Sequence, residues 1–142
     1  MLMPPALSER VSAGVVILRV IFGLGFVLHG LSKAPEPFTW ADHLVPGMPG
    51  FVQCLVVIAE GGGGLLLLLG LLSPLGALLI MADMFGAFLT STLPRGGTTF
   101  VNEHAGAQSY EKNLVYFAIA LGLLLTGPGR YSLDALLRRG RD

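Results

Sequence analysis

The sequence predicts an all-α fold: an integral membrane four-helix bundle in up-down order, with both termini cytoplasmic. Three observations lead there. Of 142 residues, 53% are hydrophobic and only 13% charged, against about 25% charged in an ordinary soluble domain. The mean hydropathy is +0.71. The apolar residues gather in four long runs divided by proline, glycine and polar residues. So few charges cannot cover a water-soluble domain of this size, so the chain is expected to be a multi-pass protein of the cell membrane. At roughly 20 residues per span, the length suits a single transmembrane domain with short connections.

The first span is expected at about residues 11–33, around VSAGVVILRVIFGLGFVLHG. Its apolar stretch is longer than a signal-peptide core, Arg19 interrupts it, and no A-x-A site follows, so it reads as retained. The second covers about 51–72. Ser73-Pro74 makes a tight turn into the third, about 75–93, because proline closes one helix and is tolerated at the start of the next. The fourth runs about 110–127 and stops at Gly127-Pro128-Gly129. Residues 132–142 read as a cytoplasmic amphipathic tail. Ser132 would cap it, Asp134 would lie in its first turn, and Leu133, Leu136 and Leu137 would sit in the interface. Arg138, Arg139 and Arg141 would then face lipid phosphates. Arg10, Arg130 and those three arginines lie on the side of the termini, against Lys33, Arg95 and Lys112 opposite. The basic excess puts the termini in the cytoplasm.

Charge and cysteine content exclude several functions. Nine basic residues balance nine acidic ones, so no positive field recruits nucleic acid. A single cysteine, Cys54, excludes an internal disulfide, a CxxC pair and a cysteine-built metal cage. In an apolar helix its thiol should stay protonated. There is no nucleotide loop, flavin fingerprint or Ser–His–Asp pattern. No intrinsic cofactor is evident. His29 lacks a facing second histidine for haem, and His29, His104 and Glu111 match no recognised metal spacing, so no metal is assigned.

The informative residues are the charges inside the spans. Arg19, Glu60 and Asp83 lie one to a helix, and each costs on the order of 3 kcal/mol at the bilayer centre unless it faces inward and finds a partner. Counted from level cytoplasmic ends at about 1.5 Å per residue, they lie about 12, 18 and 14 Å deep. The expectation is a buried charge cluster in which Arg19 contacts Glu60, Asp83 or both. Gly61–Gly64, beside Glu60, loses about 1 kcal/mol of helix propensity per residue, which a close helix crossing or a cavity would explain. A second polar group gathers at the outer end: His29 and Lys33, with Glu111 at the start of the fourth span. Trp40 and His43 on the first loop, and Asn102 and His104 on the second, could close over it. Gly30, Ala118 and Gly122 would leave room there for a ligand between the first, second and fourth helices. The plainer readings are a register-fixing ion pair for the buried charges and a surface bridge for Lys33 and Glu111, worth about 0–1 kcal/mol.

Several motifs together resemble the DoxX family of small membrane proteins. They are Arg19 with His29-Gly30-Leu31-Ser32-Lys33, Glu60-Gly61-Gly62 running into Pro74, Tyr110-Glu111 entering an apolar helix, and Leu125–Asp134 with its G-P-G-R-Y-S-L-D run. The resemblance implies a four-helix membrane bundle. It also implies a link to respiratory and redox work, notably as the membrane subunit of a thiosulfate:quinone oxidoreductase or beside enzymes of thiol and oxidative stress. On that footing the expected function is a membrane subunit of a quinone-linked oxidoreductase system, with redox cofactors on a partner. The candidate ligand-binding residues are His29, Lys33, Glu111 and Trp40, with quinone as the ligand. The expected partners are the lipid bilayer, a redox-enzyme subunit and a second copy of the chain. Two alternatives stand beside it: a non-enzymatic small-molecule or lipid binding or transport protein, and a membrane scaffold or assembly protein.

The orientation has a direct test. In a Cys54→Ser background, Arg139→Cys should resist a membrane-impermeant maleimide added outside intact cells; labelling from outside would reverse the topology.

Overall fold

The computed structural model describes residues 8–97, 99–101 and 109–139, with side chains at 138 and 139 left aside. The expectations for Asn102, His104 and the tail arginines' side chains fall outside those limits. Among the described residues the regular secondary structure is all helical, with no strand. Helix α1 is Glu9–Lys33, α2 Gly50–Leu69, α3 Ser73–Ala87, α4 Glu111–Thr126 and α5 Leu133–Arg139. Beyond α3 the chain continues through a π-helical turn, Phe88–Thr92, and a 3-10 turn, Leu93–Arg95.

Each boundary has a local cause. The Ser8 hydroxyl accepts from the Val11 amide and caps α1. Helix α2 stops at Leu69, earlier than the sequence pattern suggested, because Gly70 turns left-handed at φ 66° and its amide closes on the Leu66 and Leu67 carbonyls. Pro74 then sits in the first turn of α3, where its missing N–H costs nothing. Among the described residues, three segments are long and apolar enough to cross a membrane: Glu9–Lys33, Gly50–Leu69 and Ser73–Arg95. Helix α4, with 16 residues, spans roughly 24 Å at 1.5 Å per residue, short of a ~30 Å hydrocarbon core.

Glycine sets how α2 meets its neighbours. A methyl group at Gly30 would fall 2.5 Å from the Gly61 nitrogen, and one at Gly64 would fall 2.7 Å from the Val27 nitrogen. Gly63 turns the other way, onto the Gly76 carbonyl of α3. The Gly61–Gly64 run therefore lets backbones approach on two sides of one helix, the kind of packing that drives association in lipid. Gly23 meets Gly64 and Leu68, while Gly30 meets Val57 and Gly61, so α1 and α2 run antiparallel. The apolar core joins Phe22, Phe26, Leu67, Ala77, Ile80, Ala120 and Leu123, and Tyr116 stacks edge-on against Phe22 and Phe26.

The opposite ends of these helices are tied down by the run after α4. Arg19 is 2% exposed and donates from Nη2 to the Tyr131 carbonyl at 2.7 Å. The Asp134 amide donates to the Gly70 carbonyl, and its carboxylate accepts from the Leu72 amide, both at 3.1 Å. Ser132 caps α5 by accepting from the Ala135 amide. The first turns of α1 thus extend past the α2–α3 turn and pack on residues 129–131.

Two glycines of one helix give a contrast. Gly25 has nothing within 4 Å of an added Cβ, whereas Gly30 meets α2 backbone. Gly25→Ala should raise the thermal midpoint in detergent, by up to about 1 kcal/mol of helix propensity. Gly30→Ala should lower it by about 1–3 kcal/mol through overpacking. Equal shifts would refute the close α1–α2 contact.

Candidate functional site

The register set by glycine decides which charges meet. Gly30 lies on Gly61, so Lys33, one turn further along α1, arrives at Glu60. Its ammonium is 2.5 Å from both carboxylate oxygens. Gly23 lies on Leu68, so Arg19, one turn earlier, arrives at Gly70 and the tail. The expected cluster of Arg19, Glu60 and Asp83 therefore splits. All three side chains are buried, but Arg19 belongs to the tail end and Glu60 to Lys33. The depth estimate failed because it set the helix ends level, whereas α1 begins well beyond the α2–α3 turn.

Asp83 of α3 does join Glu60. Both line a groove of about 610 Å³ between α2, α3 and the α1–α2 loop, with Lys33 beside them. Asp83 is 8% exposed, and its Oδ2 finds no hydrogen-bond partner among the described residues. The rest of the groove is mostly apolar, walled by Leu44, Val45, Val52, Val56 and Leu79. Trp40 closes it from the loop, its ring centroid 4.3 Å from the Lys33 ammonium, a cation–π contact strengthened by desolvation.

Gln53 holds that loop in place, and nothing in the sequence pointed to it beyond its place on the Glu60 face. It is 1% exposed. Its side-chain oxygen accepts from the Ala41 amide at 2.7 Å, and its amide donates to Asp42 Oδ1 and the Met48 carbonyl. Its own backbone carbonyl accepts from Trp40 Nε1 at 3.1 Å. Arg95 adds a bond to the Leu44 carbonyl from the far end of α3. A buried glutamine with every polar atom used is the sign that marks it, and only the folded chain shows it.

A second cavity, about 380 Å³ and polar, lies on the other side of the Lys33–Glu60 pair. His29, Ser91, Thr92, Ser109, Lys112, Asn113 and Tyr116 line it. Thr92 donates to Asn113 Oδ1 at 2.9 Å, and the π-helical turn carries both Ser91 and Thr92 inward; such turns often mark functional sites.

The four expected ligand residues are thus dispersed. Lys33 and Trp40 meet at the groove, His29 faces the polar cavity, and Glu111 is exposed and lines neither. Lys112, Asn113 and Tyr116 recur at helical spacing and present one face of α4, with Ser109 just ahead of the helix; Glu111 lies off that stripe. Nor does Gly30 open a cavity, because the Gly61 backbone fills the space, and Ala118 and Gly122 are exposed on α4. The groove lies between α2, α3 and the first loop, not between the first, second and fourth helices.

Comparison with known proteins follows the same frame. The DoxX family model matches residues 14–93, which takes in most of α1, all of α2 and nearly all of the Ser73–Arg95 segment. This chain is a DoxX family protein. It is 32% identical over 128 residues to the inner membrane protein YqjF of Escherichia coli strain K12, covering 89% of this chain and 93% of that one. It is also 32% identical to the membrane protein Rv3486 of Mycobacterium tuberculosis, over 96% of this chain and 88% of the relative. CatD of Bacillus subtilis, named as a candidate oxidoreductase, is 26% identical over 95% of each chain. No solved structure matches it. With three membrane-capable helices and relatives named for the membrane, this DoxX protein is a multi-pass membrane protein in contact with the lipid bilayer.

The regrouped charges yield a double-mutant test. Lys33→Met alone should destabilise the protein by about 3–5 kcal/mol, more than Lys33→Met with Glu60→Met, because removing one partner strands a buried charge. Arg19→Met and Glu60→Met should instead add to within about 0.5 kcal/mol, as distant sites do. Thermal unfolding in one detergent reads both cycles, and coupling of Arg19 to Glu60 would refute the split.

Proposed function

We propose that this DoxX protein is the membrane subunit of a quinone-linked oxidoreductase system, with the electron-carrying cofactors on a partner protein. In this reading the quinone head lies in the groove beside Lys33, Glu60 and Asp83. The observation that carries it is Asp83 Oδ2, a buried acceptor with no protein partner among the described residues, lining a largely apolar groove of about 610 Å³. Ligand sites commonly hold about 300–1,000 Å³ and combine apolar walls with a few convergent polar groups.

Each residue has a part. The Lys33 ammonium is the donor for a ring carbonyl, and Glu60 holds that ammonium in place. Asp83 and Glu60 are carboxyls that can give up or take a proton at the head. The Trp40 ring is a flat face for an aromatic head, fixed by its bond to Gln53. Leu44, Val52, Leu55 and Val56 suit an apolar tail. A bound quinone would supply the electron acceptor or donor. The name of the CatD relative supports this reading, in line with the redox work that the resemblance to the family implies. It further takes the four helices as an up-down bundle with both termini in the cytoplasm, a reading supported by the antiparallel α1–α2 contacts and by the basic excess at the termini. The loop end then faces outward.

Trp40 is the single tryptophan of the chain, so its emission reports the groove directly. A short-chain benzoquinone or naphthoquinone should quench it saturably in the purified protein. Val56→Phe, which fills the groove, should abolish the saturable part, while Glu111→Gln should leave it unchanged. Equal, non-saturating quenching in wild type and Val56→Phe would mean partition into detergent and would overturn the site.

A further inference from the structure

The carboxyls of the groove have polar access in one direction only. Glu60 and Lys33 line both the groove and the polar cavity, so the ion pair is a partition between the two. The polar cavity runs from that pair to His29 and Lys112, both exposed at the loop end. The opposite direction is closed. Residues 20–28 of α1, 61–69 of α2, 75–82 of α3 and 117–125 of α4 carry no polar side chain at all. Within that layer Leu67, Ala77, Ile80 and Ala120 are 0% exposed. Only beyond it does the next buried ionisable group, Arg19, occur, held against the tail.

Proton movement needs a chain of polar groups or water, and an apolar layer two turns or more deep offers no polar side chain to carry it. Intramembrane carboxylates that touch a polar cavity are natural relay groups. Asp83 Oδ2, buried and unpartnered among the described residues, marks the inner terminus of such a relay. The groups facing these carboxyls are Lys33 and His29 from α1, Lys112 and Tyr116 from α4, and the Trp40 ring from the loop.

We infer that Glu60 and Asp83 exchange protons with water at the loop end only, through the polar cavity, so that proton traffic to the groove is confined to one face of the membrane. This rests on the groove being the place where proton-linked chemistry occurs, but its test contains no quinone. Full-length protein is placed in sealed liposomes, and the external pH is stepped while Trp40 emission is followed. The share of chains with the loop end outward is measured separately, with an impermeant maleimide on Thr39→Cys in a Cys54→Ser chain.

The prompt share of the fluorescence change should equal the loop-outward share, and the remainder should appear only after a proton ionophore is added. Ser109→Phe, which narrows the polar cavity, should slow the prompt phase. Glu60→Gln and Asp83→Asn should remove the response; if Glu60→Gln fails to fold, Asp83→Asn, which breaks no ion pair, decides. A prompt share equal to the tail-outward share, a fully prompt change, no change at all, or a response that survives Asp83→Asn would each overturn the inference. Saturable quinone quenching without a sided response sinks only this inference. A sided response without quenching sinks only the quinone site.

Discussion

The close approach of α1 and α2 governs the rest of the molecule. Where Gly30 lies on Gly61 and Gly23 on Gly64, main-chain atoms of the two helices meet with no side chain between them. In lipid no hydrophobic force separates a good helix contact from a poor one, so shape decides, and small residues allow the tightest fit. That contact also fixes register. A slip of one turn would bury a Leu against backbone and move every charge by about 5.4 Å. The Lys33–Glu60 pair, the position of Arg19 and the line between the two cavities all follow from it.

The charges accordingly fall into two groups with different work. At the tail end Arg19, Ser132 and Asp134 bond to main-chain carbonyls and amides of the tail segment and the α2–α3 turn. These bonds satisfy the exposed main-chain ends of α2 and α3, which would otherwise be costly near lipid. The guanidinium serves as a buried clasp. At the loop end the charges line space. Lys33 is paired, Asp83 keeps an open oxygen toward the groove, and the polar side chains of α4 and the π-helical turn face the polar cavity beside it. An arrangement of that kind costs stability and points to use.

The α1–α2 loop is as much a part of the site as the helices. Its residues 40–48 form main-chain turns of their own, such as the Leu44 and Val45 amides on the Ala41 carbonyl, and one buried side chain, Gln53, ties those turns to α2. The loop thereby places Trp40 over Lys33 and walls the groove with Leu44 and Val45. Without that clamp the groove would be an open face of α2 and α3.

Much was legible in the sequence alone. Composition and the apolar runs dictate a membrane protein made of helices, because lipid permits few other backbones and because proline and glycine can stop a helix only where they stand. The buried state of Arg19, Glu60 and Asp83 was legible for the same reason, as was Ser132 as a cap. The partners were not. Depth along a helix can be counted from sequence, but the relative heights and facing sides of two helices depend on contacts such as Gly30–Gly61, between residues far apart in the chain. Hence Arg19 was expected at Glu60, Asp83 or both and found at Tyr131, and Glu111 was expected at a site that Lys112 lines instead. Gln53 escaped notice because its worth lies in four bonds to a loop whose path the sequence does not specify. Residue type decides which groups must be buried and satisfied; only the tertiary packing decides by which neighbour.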